Sequence, residues 1–147
     1  GLEQVQLTED QVKHYAESFA DMQAAMGDAP ADSAEPDAKT MAKLEDVAKK
    51  HGFKDFSEYN TVAGNISLVL DGVDPDSKTY VGAEKLIGKS IAEVKADKQM
   101  KEADRKAALA ELEAQQKTLT PVKNPGNIEL VVKNYDRLTG AEQPAAK

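Results

Sequence analysis

The chain has 147 residues, of which 40% are hydrophobic and 31% are charged, and it carries a net charge of −7. This length and composition fit one folded domain and exclude a membrane-embedded or wholly disordered chain. The negative charge weighs against nucleic acid as a partner, and the absence of cysteine excludes disulfides and thiolate chemistry.

The first predicted helix has the clearest start. Thr8 and Gln11 have the spacing of a capping box. Apolar residues then recur every three or four positions as far as Met26, and Gly27 is placed to end the helix. We predict a flexible N-terminus over residues 1–7 before it, and a proline-containing linker over residues 28–36 after it.

The second predicted helix begins at Asp37 and ends before Gly52. The third begins at a cap, Asp55 or Ser57, and carries an unbroken apolar stripe. The stripe consists of Phe56, Tyr59, Ala63, Ile66 and Leu70, and Val62 and Val69 widen it. This third helix is therefore expected to be the most buried one.

The fourth helix is predicted from Gly82 to Asp97 and the fifth from Glu102 to Leu119. Four residues form the inner face of the fourth helix: Leu86, Ile87, Ile91 and Val94. Four small residues form that of the fifth: Ala103, Ala107, Ala110 and Ala114. Because residues 90–119 contain no glycine or proline, a helical hairpin and one long helix both remain open.

The last helix is predicted to start at Asn124, with Pro125 in its first turn, and to end at Gly140. No strand-like alternation stands out. The predicted fold is all-α: a bundle of about six amphipathic helices without a significant β-sheet. We expect one helical domain over residues 8–140 and a disordered tail over 141–147, with helices 1, 2, 4 and 6 around helix 3 and the helix 4–5 region able to project.

No motif supplies a nucleophile, a phosphate loop or a metal cluster. His14 has Asp10 four residues before it and Glu17 three residues after it, but such pairs are common on surface helices and do not predict a metal site. His51 is better explained as a cap at the end of the second helix. Neither a cofactor nor a metal is predicted, and the chain is expected not to be an enzyme.

Polar residues interrupt the apolar third helix. A buried asparagine must satisfy several donors and acceptors. Asn60 and Asn65 are therefore expected to tie the helix to a neighbouring loop, over residues 71–76 or 123–126. The alternative is a small polar pocket between helices, with Tyr59, Asn60 and Asn65 as ligand-binding residues.

The sequence Leu-Thr-Glu-Asp-Gln at residues 7–11 resembles the L-T-x-x-Q signature of small helical chaperones of the bacterial periplasm. That family usually carries the signature twice, and this chain has it once. The resemblance implies an exported, all-helical protein. The chain also begins with Gly1 rather than Met, as expected where an expression tag was cleaved off and a leader was left out.

We therefore expect a non-enzymatic, exported bacterial helical protein, periplasmic or secreted, that acts by binding another protein or by self-association. The alternatives are a small-ligand-binding helical domain with a pocket near the third helix, and a cytoplasmic location. No stretch approaches the roughly 18 apolar residues of a membrane span.

Overall fold

The computed structural model describes residues 3–27 and 37–139 and confirms the all-α fold. The predicted linker 28–36 and tail 141–147 lie outside the described residues. The helices are α1 (Glu9–Glu17), α2 (Phe19–Met26), α3 (Ala38–Lys50), α4 (Phe56–Leu70), α5 (Ala83–Ala96), α6 (Glu102–Lys117), α7 (Pro125–Lys133) and α8 (Tyr135–Leu138). The strands β1 (Val73–Asp74) and β2 (Thr79–Tyr80) form an antiparallel pair between α4 and α5, which the sequence patterns did not predict.

Two predicted helices are each split by a polar residue. Ser18 separates α1 from α2, and its hydroxyl donates to the backbone oxygen of Tyr15 at 2.6 Å. Asn134 separates α7 from α8, and its side-chain amide donates to the oxygen of Leu130 at 2.8 Å. Such side chains compete with the helical hydrogen-bond ladder, and this explains why six predicted helices become eight among the described residues.

Helix α4 lies at the centre of the bundle, as predicted. It packs against α1, α3 and α7. The innermost apolar side chains come from all four helices and are almost completely buried: Val12, Leu44, Val62, Ile66, Val69 and Val131. The core is therefore mainly aliphatic, in keeping with the three Phe, four Tyr and no Trp of the whole chain.

The aromatic side chains gather around Tyr59. The Tyr59 ring lies 5.2 Å from Phe53, 5.3 Å from Tyr15 and 5.8 Å from Phe56, measured between ring centroids. The Tyr59 hydroxyl and Ser18 Oγ lie within hydrogen-bond distance, at 3.2 Å. Burial and the neighbouring Tyr59 raise the pKa of Tyr15 to about 12, so both hydroxyls stay protonated at neutral pH.

The helix starts follow the predicted caps. Thr8 and Gln11 form the reciprocal capping box. Asp37 caps α3 and Asp55, rather than Ser57, caps α4 through side-chain oxygens that accept from backbone N–H groups. Pro125 occupies the first turn of α7. These local signals need no tertiary contact, so the sequence alone locates them.

The connection from α4 to α5 is built on a close approach at Gly72. Its carbonyl accepts from Val81 N–H at 2.9 Å and from Gly82 N–H at 3.0 Å. The ring of Tyr80 lies against the Gly72 backbone, where a Cβ would be 2.5 Å from a ring carbon. Gly82 has a φ of +97°, a conformation that side chains disfavour. This connection sets the direction in which α5 leaves the bundle.

Helices α5 and α6 form a hairpin that packs chiefly on itself, and we call it the α5–α6 hairpin. The predicted position of the fourth helix beside the third was wrong, because α1, α3 and α7 already cover the apolar side of α4. The predicted projection is confirmed. Neither helix, each described in full, contains a buried residue.

The hairpin also settles the choice that the sequence left open. The chain leaves helical conformation after Ala96 and resumes it at Glu102. At the turn, Asp97 Oδ1 accepts from Gln99 N–H at 2.9 Å, and the Arg105 guanidinium donates to the oxygens of Asp97 and Met100. These bonds to polar side chains hold the turn without glycine or proline.

The alanine stripe of α6 faces outward rather than inward. All four of its residues are exposed: Ala103, Ala107, Ala110 and Ala114. Leu109 and Leu112, on the other side of the same helix, are partly buried. Leucine gains more from burial than alanine does, so it decides which side of α6 faces α5.

We predict opposite effects for alanine at two glycines. Gly72→Ala should destabilise the protein by about 1–3 kcal/mol, because its methyl group collides with the Tyr80 ring. Gly88→Ala is the control, since no atom apart from the adjoining backbone of α5 lies within 4 Å of a Cβ at this position. It should stabilise α5 by up to about 1 kcal/mol. Urea denaturation measures both, and equal effects of the two changes would contradict the close approach at Gly72.

A second prediction concerns acid stability. Asp21 Oδ2 lies 2.7 Å from His51 Nε2 and 3.0 Å from Lys50 Nζ. The hydrogen bond to His51, followed by that to Lys50, lowers the pKa of Asp21. This carboxylate therefore stabilises the fold fully above the unfolded-state pKa of about 3.9, and the contribution disappears as the pH falls through the lower folded-state pKa.

The measurement is urea denaturation of the parent protein and of Asp21→Asn between about pH 5 and pH 2. The parent should be the more stable at the upper end, and the difference should shrink as the solution becomes more acidic. A difference that stays constant over this interval would show that Asp21 has no depressed pKa in the folded state.

Candidate functional site

Two buried asparagines hold the backbone of the N-terminal segment, residues 3–7. Asn65 Oδ1 accepts from Val5 N–H at 3.1 Å, and Asn65 Nδ2 donates to the oxygen of Glu3 at 2.9 Å. Asn127 Oδ1 accepts from Leu7 N–H at 2.7 Å, and its Nδ2 donates to the oxygen of Val5 at 2.8 Å. Both asparagines are at most 2% exposed. We call these two side chains the amide clamp.

The amide clamp changes the interpretation of the N-terminus. Residues 3–7 fall within the range predicted to be flexible, yet they lie against α4 and α7 and the Leu7 side chain is buried. Gln4 adds two further bonds, since its Nε2 donates to Pro121 O and its Oε1 accepts from Lys123 N–H. A short polar segment without helical periodicity has no sequence signal for such anchoring, because the partners are about 60 and 120 residues away.

The three residues predicted to bind a ligand occupy different environments. Asn65 ties α4 to the N-terminal segment, rather than to either loop predicted, and Tyr59 lies in the aromatic cluster. Asn60 is exposed beside a shallow groove that Met41 and Phe56 also line. The structure therefore does not bring the three side chains together in one pocket of the described chain, and ligand binding by them stays a prediction.

A larger cleft lies where the α5–α6 hairpin joins the bundle, and we call it the base cleft. Its volume is about 700 Å³, within the range of small-molecule sites. The end of α4, the start of α5, the end of α6 and the beginning of α7 line it. Four aliphatic side chains form the apolar part of the wall: Leu68, Leu119, Val122 and Ile128.

The two charged residues that line the base cleft are both acidic. Asp71 follows α4, and Glu84 lies in the first turn of α5. Within the described part of the chain, neither carboxylate has a hydrogen bond or an ion pair. Partial burial raises the pKa of Asp71 above its ordinary value. The Tyr80 ring, held against Gly72, also lines the cleft.

Sequence reasoning missed the base cleft because its residues come from separate elements that only tertiary packing brings together. In the sequence, Asp71 and Gly72 indicate only a break after the third helix. The available signal was the density of helix-breaking residues over 71–82, which contain glycines, a proline and three aspartates between two apolar helices.

Other kinds of site find no support in the described residues. Over residues 3–27 and 37–139, no three His, Asp or Glu side chains are grouped so that they could hold a metal ion. No helix in those ranges combines the length and hydropathy required to cross a bilayer. No family model, curated protein or solved structure matches this chain.

The amide clamp leads to a stability prediction. Asn127→Ala should cost about 1–3 kcal/mol, because it leaves the buried Leu7 N–H and the Val5 carbonyl without partners. Asn60→Ala, on the exposed side of α4, is the control and should change stability by less than about 0.5 kcal/mol.

Urea denaturation gives both free energies, and amide hydrogen exchange reports directly on the segment. The amide of Leu7 should exchange slowly in the parent protein and rapidly in Asn127→Ala. Equal stability of the two variants, or fast exchange at Leu7 in the parent, would rule out the amide clamp.

Proposed function

We propose that this chain is a non-enzymatic interaction protein that self-associates through its α5–α6 hairpin. The observation that carries the proposal is the incomplete burial of this hairpin. Its 14-residue and 16-residue helices contain no buried residue, although both are described over their whole length. In the bundle, by contrast, each of α1, α3, α4 and α7 has at least two buried residues.

A pair of helices is too small to bury the apolar faces of both helices completely. The α5 face spans Leu86, Ile87, Ile91 and Val94, and each of these residues remains partly exposed. On α6, Leu109 and Leu112 are also partly exposed. Two hairpins packed together form a four-helix arrangement, in which side chains of this kind become core positions. A second copy of the chain supplies a matching hairpin.

The charge distribution favours the hairpin as the face at which copies meet. Residues 83–117 contain eight Lys or Arg and seven Asp or Glu. The remainder of the chain contains eleven Lys or Arg and nineteen Asp or Glu. Two copies therefore repel each other through their acidic bundles but not through their hairpins, whose mixed charges allow cross-pairing.

This function needs no reacting group and no cofactor. The resemblance of residues 7–11 to periplasmic helical chaperones supports export as the accompanying proposal for location. The acidic surface of the bundle disfavours nucleic acid as a partner.

Sedimentation equilibrium over a range of concentrations tests self-association. The parent protein should form a dimer whose population rises with concentration. Ile91→Ser should raise the dissociation constant by about tenfold or more, because each interface loses buried apolar area twice. The matched control is Ala92→Ser, which alters the exposed side of the same helix and should leave the constant unchanged.

Added salt provides a second reading of the same equilibrium. It should strengthen the dimer, because screening weakens repulsion between the acidic bundles more than it weakens any attraction between the nearly neutral hairpins. A parent protein that stays monomeric at millimolar concentration and high salt, or equal effects of the two serine variants, would refute the proposal.

A further inference from the structure

We propose that the base cleft binds an organic cation in which an ammonium or guanidinium group is carried on an aliphatic stem. The proposal is independent of self-association, because none of the apolar hairpin residues assigned to self-association lines the base cleft. Its first support is the shape of the base cleft, whose 700 Å³ is enough for such a molecule.

The second support is the arrangement of polar and apolar groups in the cleft. Asp71 and Glu84 lie in a wall that also offers the aliphatic side chains of Leu68, Leu119 and Ile128, together with uncharged polar side chains. An aliphatic stem gains by leaving water for such side chains, and a carboxylate gives a cation a charge-assisted hydrogen bond. A neutral apolar ligand would use only the first of these interactions, and an anion would be repelled.

The third support is that both carboxylates are available. Most acidic groups with a resolved shift in pKa already have a partner in the described chain, such as Lys133 for Glu9 and His51 for Asp21. Asp71 has none there, and both Asp71 and Glu84 are exposed where they line the cleft. A bound cation would therefore find, in the same wall, two carboxylates without partners among the described residues.

The connection at Gly72 explains how the cleft keeps its form. The Gly72 carbonyl holds Val81 and Gly82 by two hydrogen bonds, and these position the start of α5 relative to the end of α4. Asp71 and Glu84 therefore lie on segments whose relative placement is set by backbone bonds. The cleft is built into the fold rather than formed only when a ligand arrives.

Hexylguanidinium is the probe, with hexanol and hexanoate as its neutral and anionic counterparts. Titrations followed by backbone amide NMR should show saturable shifts at Leu119, Val122 and Ile128 with hexylguanidinium. Hexanol should bind at least about tenfold more weakly and hexanoate should not bind, because only the cation can pair with a carboxylate.

Two variants test whether the cation pairs with the carboxylates of the base cleft. Asp71→Asn should weaken hexylguanidinium binding about tenfold, and Glu84→Gln should weaken it in the same direction. Asp46→Asn, which removes an exposed acid of α3 outside the cleft, is the matched control and should have no effect.

The acetylated and amidated tripeptide Leu-Arg-Leu distinguishes the two sources of such a cation. Tighter binding of the tripeptide identifies the ligand as a side chain of another protein, whereas tighter binding of hexylguanidinium identifies a free amine or guanidine. Equal binding of hexanol and hexylguanidinium, no saturable shift with either cation, or unchanged binding in both cleft variants would overturn the proposal.

Discussion

The burial of α4 is the constraint from which the rest of the architecture follows. Its valines and isoleucine are almost completely buried, and so is the polar Asn65. Covering this surface takes the three helices α1, α3 and α7, drawn from both ends of the chain. The buried amide of Asn65 adds a demand of its own, because its donors and acceptor must be satisfied where water cannot reach.

The N-terminal segment supplies hydrogen-bond partners for Asn65. It offers unpaired backbone groups to Asn65 and Asn127, and the two side chains offer matching groups in return. The same contacts bring the segment against the beginning of α7 and bury Leu7 in the core. The amide clamp thus joins the first residues of the described chain to its last third without any secondary structure in the segment itself.

The α5–α6 hairpin is the consequence of a bundle that is already complete. Once α1, α3 and α7 cover most of the apolar surface of α4, α5 and α6 pack chiefly against each other. The α5–α6 hairpin therefore has partly exposed apolar residues and nearly balanced charge. The connection at Gly72 attaches it to the acidic bundle. Both proposals arise from this attachment: the outer part of the hairpin offers a face to another copy, and its base forms a cleft with the bundle.

The sequence by itself determined the features that depend on neighbouring residues. The all-α fold, the capping box at Thr8 and Gln11, the caps Asp37 and Asp55, and the centrality of α4 all follow from periodicity and helix-end chemistry within one segment. The structure revealed the breaks at Ser18 and Asn134, where each side chain bonds to a backbone oxygen three or four residues earlier. Tertiary packing decided the outward turn of the alanine stripe and the separation of α5 from α4. It alone also brought Asn65 to the N-terminal segment, apart from Asn60, and assembled the base cleft. The last two features join segments that lie 60 or more residues apart in the chain, and no local sequence pattern records which distant segments will meet.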